Sequence, residues 1–194
     1  MIGDGRPQAE SGSPEQPSDM FQAVEGRWGS REVEITGVTL LGEDGQASHI
    51  FQSGEPISIR LTVVAHQATA DFVFGIGLFN PEGVCCYGTN TDLEDLQPED
   101  IRGEGEATFV IDSIDLVDGT YKLDVAVHKR DGYPYDYHRL LYTFRVKSRT
   151  RDVGIYRPRH RWAFSPGVQF KAKDEIHHDD TKGTKPHADD ERTS

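Results

Sequence analysis

Cysteine, positive charge, long apolar runs and helical periodicity are all scarce in this sequence. Only two of its 194 residues are cysteine, the adjacent pair Cys85 and Cys86. Neighbouring residues of a strand point to opposite faces, so a disulfide between them would need a strained turn. Both read as reduced thiols, which favours a cytoplasmic setting. Lys and Arg number 21 against 33 Asp and Glu, a formal charge of −12. Nucleic-acid and anionic-lipid binders concentrate cations, so this overall balance argues against both and leaves a neutral partner such as a sugar or another protein. No apolar stretch approaches the roughly 20 residues that span a bilayer. The residues after Met1 contain no apolar signal-peptide core. Neither membrane insertion nor secretion is expected.

Recognisable catalytic signatures are missing too. There is no glycine-rich phosphate loop ending in Lys-Ser/Thr, so hydrolysis of ATP by that route is not expected of this chain. There is no nucleophile elbow, no paired-histidine zinc helix and no Cys-x-x-Cys pair. No cofactor motif is present. Glycosidase carboxylates carry no local motif, and Asp124, Asp131 and Asp136 stay open as an acid–base set for a sugar-active enzyme.

Apolar residues concentrate between Val33 and Phe164, and both ends are almost bare of them. The expected organisation is a flexible linker over residues 1–30, one folded domain over 31–165 and a polar tail over 166–194. A linker at the start implies a further domain ahead of it. His177, His178 and His187 fall in the tail and are expected to be solvated rather than metal-ligating.

Between the ends the period is two. Ile57, Ile59, Leu61 and Val63 alternate with Ser58, Arg60, Thr62 and Val64. Phe72, Phe74, Ile76 and Leu78 alternate with Val73, Gly75, Gly77 and Phe79, and Tyr121, Leu123, Val125 and Val127 with Lys122, Asp124, Ala126 and His128. Each set predicts a strand with one face on a core. Shorter strands are predicted at Val33–Leu41, Val84–Thr89, Ala107–Ile111, Tyr142–Val146 and Gly154–Trp162. Turn residues such as Glu43-Asp44-Gly45, Asn80-Pro81-Glu82-Gly83, Asp118-Gly119 and Asp131-Gly132 separate them. About eight short strands without an amphipathic helix predict an all-β, immunoglobulin-like antiparallel sandwich. Tyr121, entering a late strand just after a tight turn, fits the tyrosine corner of Greek-key sandwiches.

Two polar clusters are candidates for binding. The run His128 to His138 places Tyr133, Tyr135, Asp136, Tyr137 and His138 around an Asp-Gly turn. Aromatic faces cover the C–H patches of sugar rings while carboxylates, amides and imidazoles bond the hydroxyls. A metal set of His128, Asp131, Asp136 and His138 matches no defined spacing, and no metal is expected. The second cluster, Tyr87 to Asp92, offers Asn90 and Thr91 either as turn caps or as a hydrogen-bonding rim. Gly75 and Gly77 on one strand face suggest close approach of a ligand, another backbone or a bulge. Arg60, Tyr87, Asp124 and His128 would be neighbours on an exposed face if their strands share a sheet.

Phe51-Gln52-Ser53-Gly54-Glu55-Pro56, Phe72-Val73-Phe74-Gly75-Ile76, Tyr87-Gly88-Thr89-Asn90-Thr91, Asp118-Gly119-Thr120-Tyr121 and Tyr135-Asp136 follow one another in an order and spacing that resembles the C-terminal domain of Wzt-type proteins. Those are ATP-binding subunits of ABC transporters that export O-antigen polysaccharide. Arg27-Trp28-Gly29-Ser30 near the start and His160-Arg161-Trp162 near the end fit the same pattern, so the resemblance spans about residues 27–164. It implies a module that binds the exported glycan near its non-reducing end and couples it to transport. The partners it implies are an ATPase domain and membrane subunits, and the place is the inner face of the bacterial inner membrane. It also implies a homodimer made by exchange of a C-terminal strand, for which Gly154, Ile155, Tyr156 and Trp162 are the candidates. A purely structural dimerisation module is the rival reading.

Overall fold

The structure, a computed structural model, describes residues 26–170. The expected tail from residue 171 onward, with its three histidines, lies outside the described residues, as does most of the expected linker. Among the described residues nine strands are present: β1 Gly26–Trp28, β2 Val33–Leu41, β3 Ile50–Gln52, β4 Ile57–Thr69, β5 Val73–Phe79, β6 Cys85–Asn90, β7 Ile101–Ile111, β8 Gly119–His128 and β9 Pro134–Lys147. No helix among the described residues is long and apolar enough to cross a membrane.

The strands form two sheets. The larger has the order β1-β9-β8-β5-β6, with β3 added in parallel to the far end of β9; the smaller is β2-β4-β7. Every other pairing is antiparallel. The period-two sets meet between the sheets. Ile57, Ile59, Leu61 and Val63 of β4 pack with Leu123, Val125 and Val127 of β8 and with Phe144 and Val146 of β9. Burying each such side chain contributes about 1.5–3 kcal/mol, so the alternation in sequence is also the energetic case for the sandwich. Tyr121 is 3% exposed and donates its hydroxyl to the Val117 carbonyl at 3.0 Å, which is the tyrosine corner.

Three expectations are corrected. Gly154–Trp162 is not a strand: its pairing is a single bridge between Tyr156 and Leu116, flanked by Val117 N–H to Ile155 O at 3.0 Å and Arg157 N–H to Asp115 O at 2.7 Å. Pro158 lacks an N–H to extend that ladder. In β5, Ile76 and Leu78 enter the core, but Phe72 and Phe74 lie half-buried at its margin while Val73 and Phe79 are buried on the other face. Finally, β1 lies within the stretch expected to be linker. It pairs Arg27 with His138 and Trp28 with Tyr137, so described structure already begins at Gly26.

Two compact units divide the chain between Arg159 and His160. The sandwich belongs to the first. In the second, Trp162 stacks on Phe164 at 6.1 Å and Phe164 meets Phe170 at 4.5 Å.

Candidate functional site

Strand register places a distinct set of side chains on the outer face of the larger sheet. Directly paired residues of antiparallel neighbours share a face. Asn90 pairs with Gly75, Gly75 with Ala126, Ala126 with Tyr137 and Tyr137 with Trp28, one row across all five strands from β6 to β1. The adjacent row runs Gly88, Gly77, Asp124. His128 lies two residues from Ala126 and therefore on the same side.

Together they form a platform. Trp28 and Tyr137 stack at 5.2 Å and 9°, and His128 stacks on the same Tyr137 ring at 5.9 Å and 21°. Beside these rings the floor is low, made of Gly75, Gly88 and Ala126. A Cβ at Gly75 would meet only ordinary contacts at 3.7 Å or more, so a methyl would fit there without displacing a neighbour. Gly77 differs: a Cβ there would lie 2.8 Å from Cε2 of Phe79, whose ring occupies that place.

Asp124 is the polar group of the floor. Its carboxylate accepts the Leu140 N–H at 2.5 Å and lies 4.0 Å from Nε of Arg139. Leu123 pairs with Tyr142 and Val125 with His138, so Asp124 faces three residues of β9. This bulge puts Leu140 in the left-handed region at φ 53°. Such a backbone costs about 1–3 kcal/mol and persists where surroundings hold it, here an acceptor in the opposite strand. Burial pushes the Asp124 carboxyl up to about 6, with the Leu140 hydrogen bond and the Arg139 charge opposing it.

The His128–His138 cluster therefore splits: Tyr137 faces opposite to Asp136 and His138 by the alternation of β9, and the register shift between Val127 and His128 turns Tyr135 inward as well. Tyr137 and His128 belong to the platform. Tyr135, Asp136 and His138 are 1%, 0% and 4% exposed and form framework, correcting their expected place on an open hairpin tip. Asp136 accepts from Arg27 Nε at 3.0 Å and Nη2 at 2.7 Å, from the Ile35 N–H at 2.8 Å, from His138 Nε2 at 3.3 Å and from Arg31. Burial alone would raise its carboxyl, but the His138 and Arg27 hydrogen bonds and the Ile35 N–H hold it well below the usual carboxylate range. His138 also meets the Tyr142 hydroxyl at 2.6 Å, and Tyr135 donates to the Asp71 carbonyl at 3.0 Å. A general acid needs access to substrate, which Asp136 lacks. Asp131 accepts the Tyr133 N–H at 2.9 Å within the tip itself.

Tyr133 remains at the tip, 48% exposed, with Nζ of Lys129 5.0 Å over its ring. Arg60 is on β4 in the smaller sheet, paired with Glu106 at 2.9 Å, and is not a neighbour of Asp124 or His128. Tyr87 pairs with Leu78, whose side chain enters the core, so its register places it opposite the platform face despite 48% exposure. Asn90 caps its turn by accepting the Leu93 N–H at 2.7 Å, and the Thr91 hydroxyl accepts the Phe74 N–H of β5 at 3.1 Å. Among the described residues no group of three or more His, Cys, Asp or Glu side chains is placed to hold a metal ion. Trp28 was missed because it precedes the period-two region; Arg27-Trp28-Gly29 was the available signal.

Comparison with known proteins places the chain in a family. The profile of the Wzt C-terminal domain matches residues 24–158. The chain belongs to the Wzt C-terminal domain family. The "O-antigen export system ATP-binding protein RfbB" of Myxococcus xanthus is 28% identical over 159 residues, covering 82% of this chain. The chain spans about a third of that relative's length, 34%. A solved structure, the crystal structure of the C-terminal domain of Wzt, matches with a TM-score of 0.68 at 19% identity over 75% of this chain and 92% of that one, which shows the shared fold. In this Wzt C-terminal domain the matched region contains both β1 and the whole platform.

Proposed function

We propose that the protein is the non-catalytic glycan-recognition module of an ABC exporter of O-antigen-type polysaccharide, and that the outer face of the larger sheet holds the sugar. The observation that carries this is the row of stacked Trp28, Tyr137 and His128 beside a glycine and alanine floor with one half-buried carboxylate, Asp124. A pyranose ring laid on the aromatic edge buries its C–H face there, while Asp124 and Asn90 lie where its hydroxyls need partners. The family and the name of the relative support the export setting, with an ATPase domain and membrane subunits as partners and the inner face of the bacterial inner membrane as the place. Binding is weak, micromolar to millimolar, because a sugar exchanges water hydrogen bonds for protein ones. Calorimetry of the full chain with the polysaccharide from its source tests this. Trp28→Ala and Tyr137→Ala each weaken binding about tenfold or more, the loss of one stacked ring, whereas Tyr133→Ala leaves it within about twofold. Equal binding by all three variants and the wild type contradicts the assignment.

A second reading concerns assembly. Ile155 to Arg157 attach to Asp115–Val117 by one bridge and two hydrogen bonds, after a turn with Gly154 at φ 106°. Tyr156 is 61% exposed even so. We infer that this segment pairs equally well with a second copy, forming a homodimer by exchange. Gly154, Ile155, Tyr156 and Trp162 then supply the contacts. Light scattering of the full chain gives a dimer mass that deletion from Gly154 reduces to a monomer; a monomer throughout contradicts the exchange.

A further inference from the structure

The chain's charge is distributed against its total. Six of its 21 Lys and Arg fall in residues 145–159, where Asp152 is the sole carboxylate. Four of these, Lys147, Arg149, Arg157 and Arg159, line one cleft of about 510 Å³ together with the Ser53-Gly54 turn and Ser148. The cleft sits at the end of β9, ten residues beyond Tyr137, which is roughly 33 Å along a strand. It is therefore separate from the glycan platform.

The acids near this cleft are already engaged. Asp152 accepts Arg157 Nε at 2.6 Å, and Asp115 lies 3.8 Å from Arg159 Nε and accepts the Ser113 hydroxyl at 2.8 Å. Glu55 folds back onto the Gln52 N–H at 3.1 Å. Only Nε of Arg157 is committed to Asp152, which orients the guanidinium and leaves its remaining N–H groups beyond that bond. Lys147 and Arg149 make no ion pair among the described residues. Cations fixed by acids on one side and left open on the other form a pre-organised anion site, since their ordering cost is met before a ligand arrives.

We propose that this cleft binds a phosphoryl group. The Thr150 hydroxyl is spent on Asp152 and that of Ser148 on Thr150. Three guanidinium groups and an ammonium, joined by the hydroxyl of Ser53, exceed what the two oxygens of a carboxylate can accept. They suit a phosphate ester with three or more oxygens and a charge between −1 and −2. The proposal does not depend on the sugar reading. Such a group reaches the protein either on a phosphorylated saccharide or in a lipid headgroup, and the two sources share this chemistry. Should Arg157 and Arg159 be exchanged between copies, the cleft keeps its composition with two residues from the second chain.

The test uses the full chain at low salt, where screening is weak. Glycerol phosphate, with glycerol as the neutral control, is titrated while the backbone amides of Ser53, Gly54, Ser148 and Thr150 are followed by NMR. In parallel the protein is sedimented with phosphatidylglycerol or phosphatidylcholine vesicles. Shifts at these amides with glycerol phosphate alone, weakened at least tenfold in Arg149→Glu and in Lys147→Glu, support the site and a soluble phosphate ester. Retention on phosphatidylglycerol vesicles without such shifts, lost in the same variants, supports it with a lipid source. Arg102→Glu on the distant β7 changes net charge equally and leaves both readouts unchanged. The proposal is overturned if neither probe binds, if Arg149→Glu and Lys147→Glu bind as the wild type does, or if Arg102→Glu weakens binding as much.

Discussion

Two aspartates twelve residues apart, Asp124 and Asp136, show how burial with and without compensation sends one side chain to opposite fates. Asp136 has no exposed surface but accepts from two arginines, a histidine and a backbone N–H, and is held ionised. Removing a buried carboxylate from such a set strands the cations, so Asp136→Asn should destabilise by about 3–5 kcal/mol in urea unfolding. Asp124 has one N–H donor and a more distant Arg139, and burial prevails. A carboxyl whose folded value is raised to about 6 contributes stability that is complete below its unfolded value near 3.8 and is lost as pH rises through 6. Asp124→Asn keeps the acceptor for Leu140 and removes the titration. The melting temperature of the variant relative to wild type should therefore rise between pH 4 and pH 7; a constant difference would show that Asp124 does not titrate there. None of this contrast was legible in the sequence, where Asp124, Asp131 and Asp136 look alike, because Arg27, Arg31 and Ile35 approach Asp136 from about a hundred residues away.

At the level of elements, period two identified the strands wherever apolar residues alternate with polar ones. β4 as far as Ala65, and β8, follow that pattern, and their inward residues are the ones expected. The pattern weakened in three places for three reasons. After Ile101, β7 runs through Arg102, Gly103, Glu104, Gly105 and Glu106, too polar to stand out, so only its Ala107–Ile111 end was visible. β9 runs fourteen residues through the tyrosine cluster and a bulge at Leu140, and the bulge breaks the alternation by which its two faces could be told apart. β1 has three residues and gains its order from β9 and from Arg27 on Asp136, partners that no local pattern records. The tyrosine corner was legible because its acceptor is local, four residues back at Val117. Tyr121→Phe removes that bond alone and should cost about 1–1.5 kcal/mol in denaturant unfolding, with the strand content by circular dichroism unchanged.

On the scale of the molecule, the sandwich separates two chemistries along β9. Near Pro134 lie the aromatic rings and low floor of the outer face, and near Lys147 lies the cluster of cations. A single net charge of −12 hides that division, so a total that argues against anionic partners for the whole chain says little about one end of it. β1 joins the two sheets' chemistry to the front of the domain: Trp28 completes the platform while its neighbour Arg27 is anchored on Asp136 and Glu34. Sugar on Trp28 and Tyr137 therefore rests on the segment through which the sandwich continues toward its preceding residues. Whether the outer face is the glycan site is tested most directly by mapping amide shifts of the full chain during titration with its own polysaccharide to millimolar repeat unit. The account predicts shifts confined to Trp28, Gly75, Gly77, Gly88, Asn90, Asp124, Ala126, His128 and Tyr137, and their loss in Trp28→Ala. Shifts gathered on β2, β4 and β7, or no shifts at all, would contradict it.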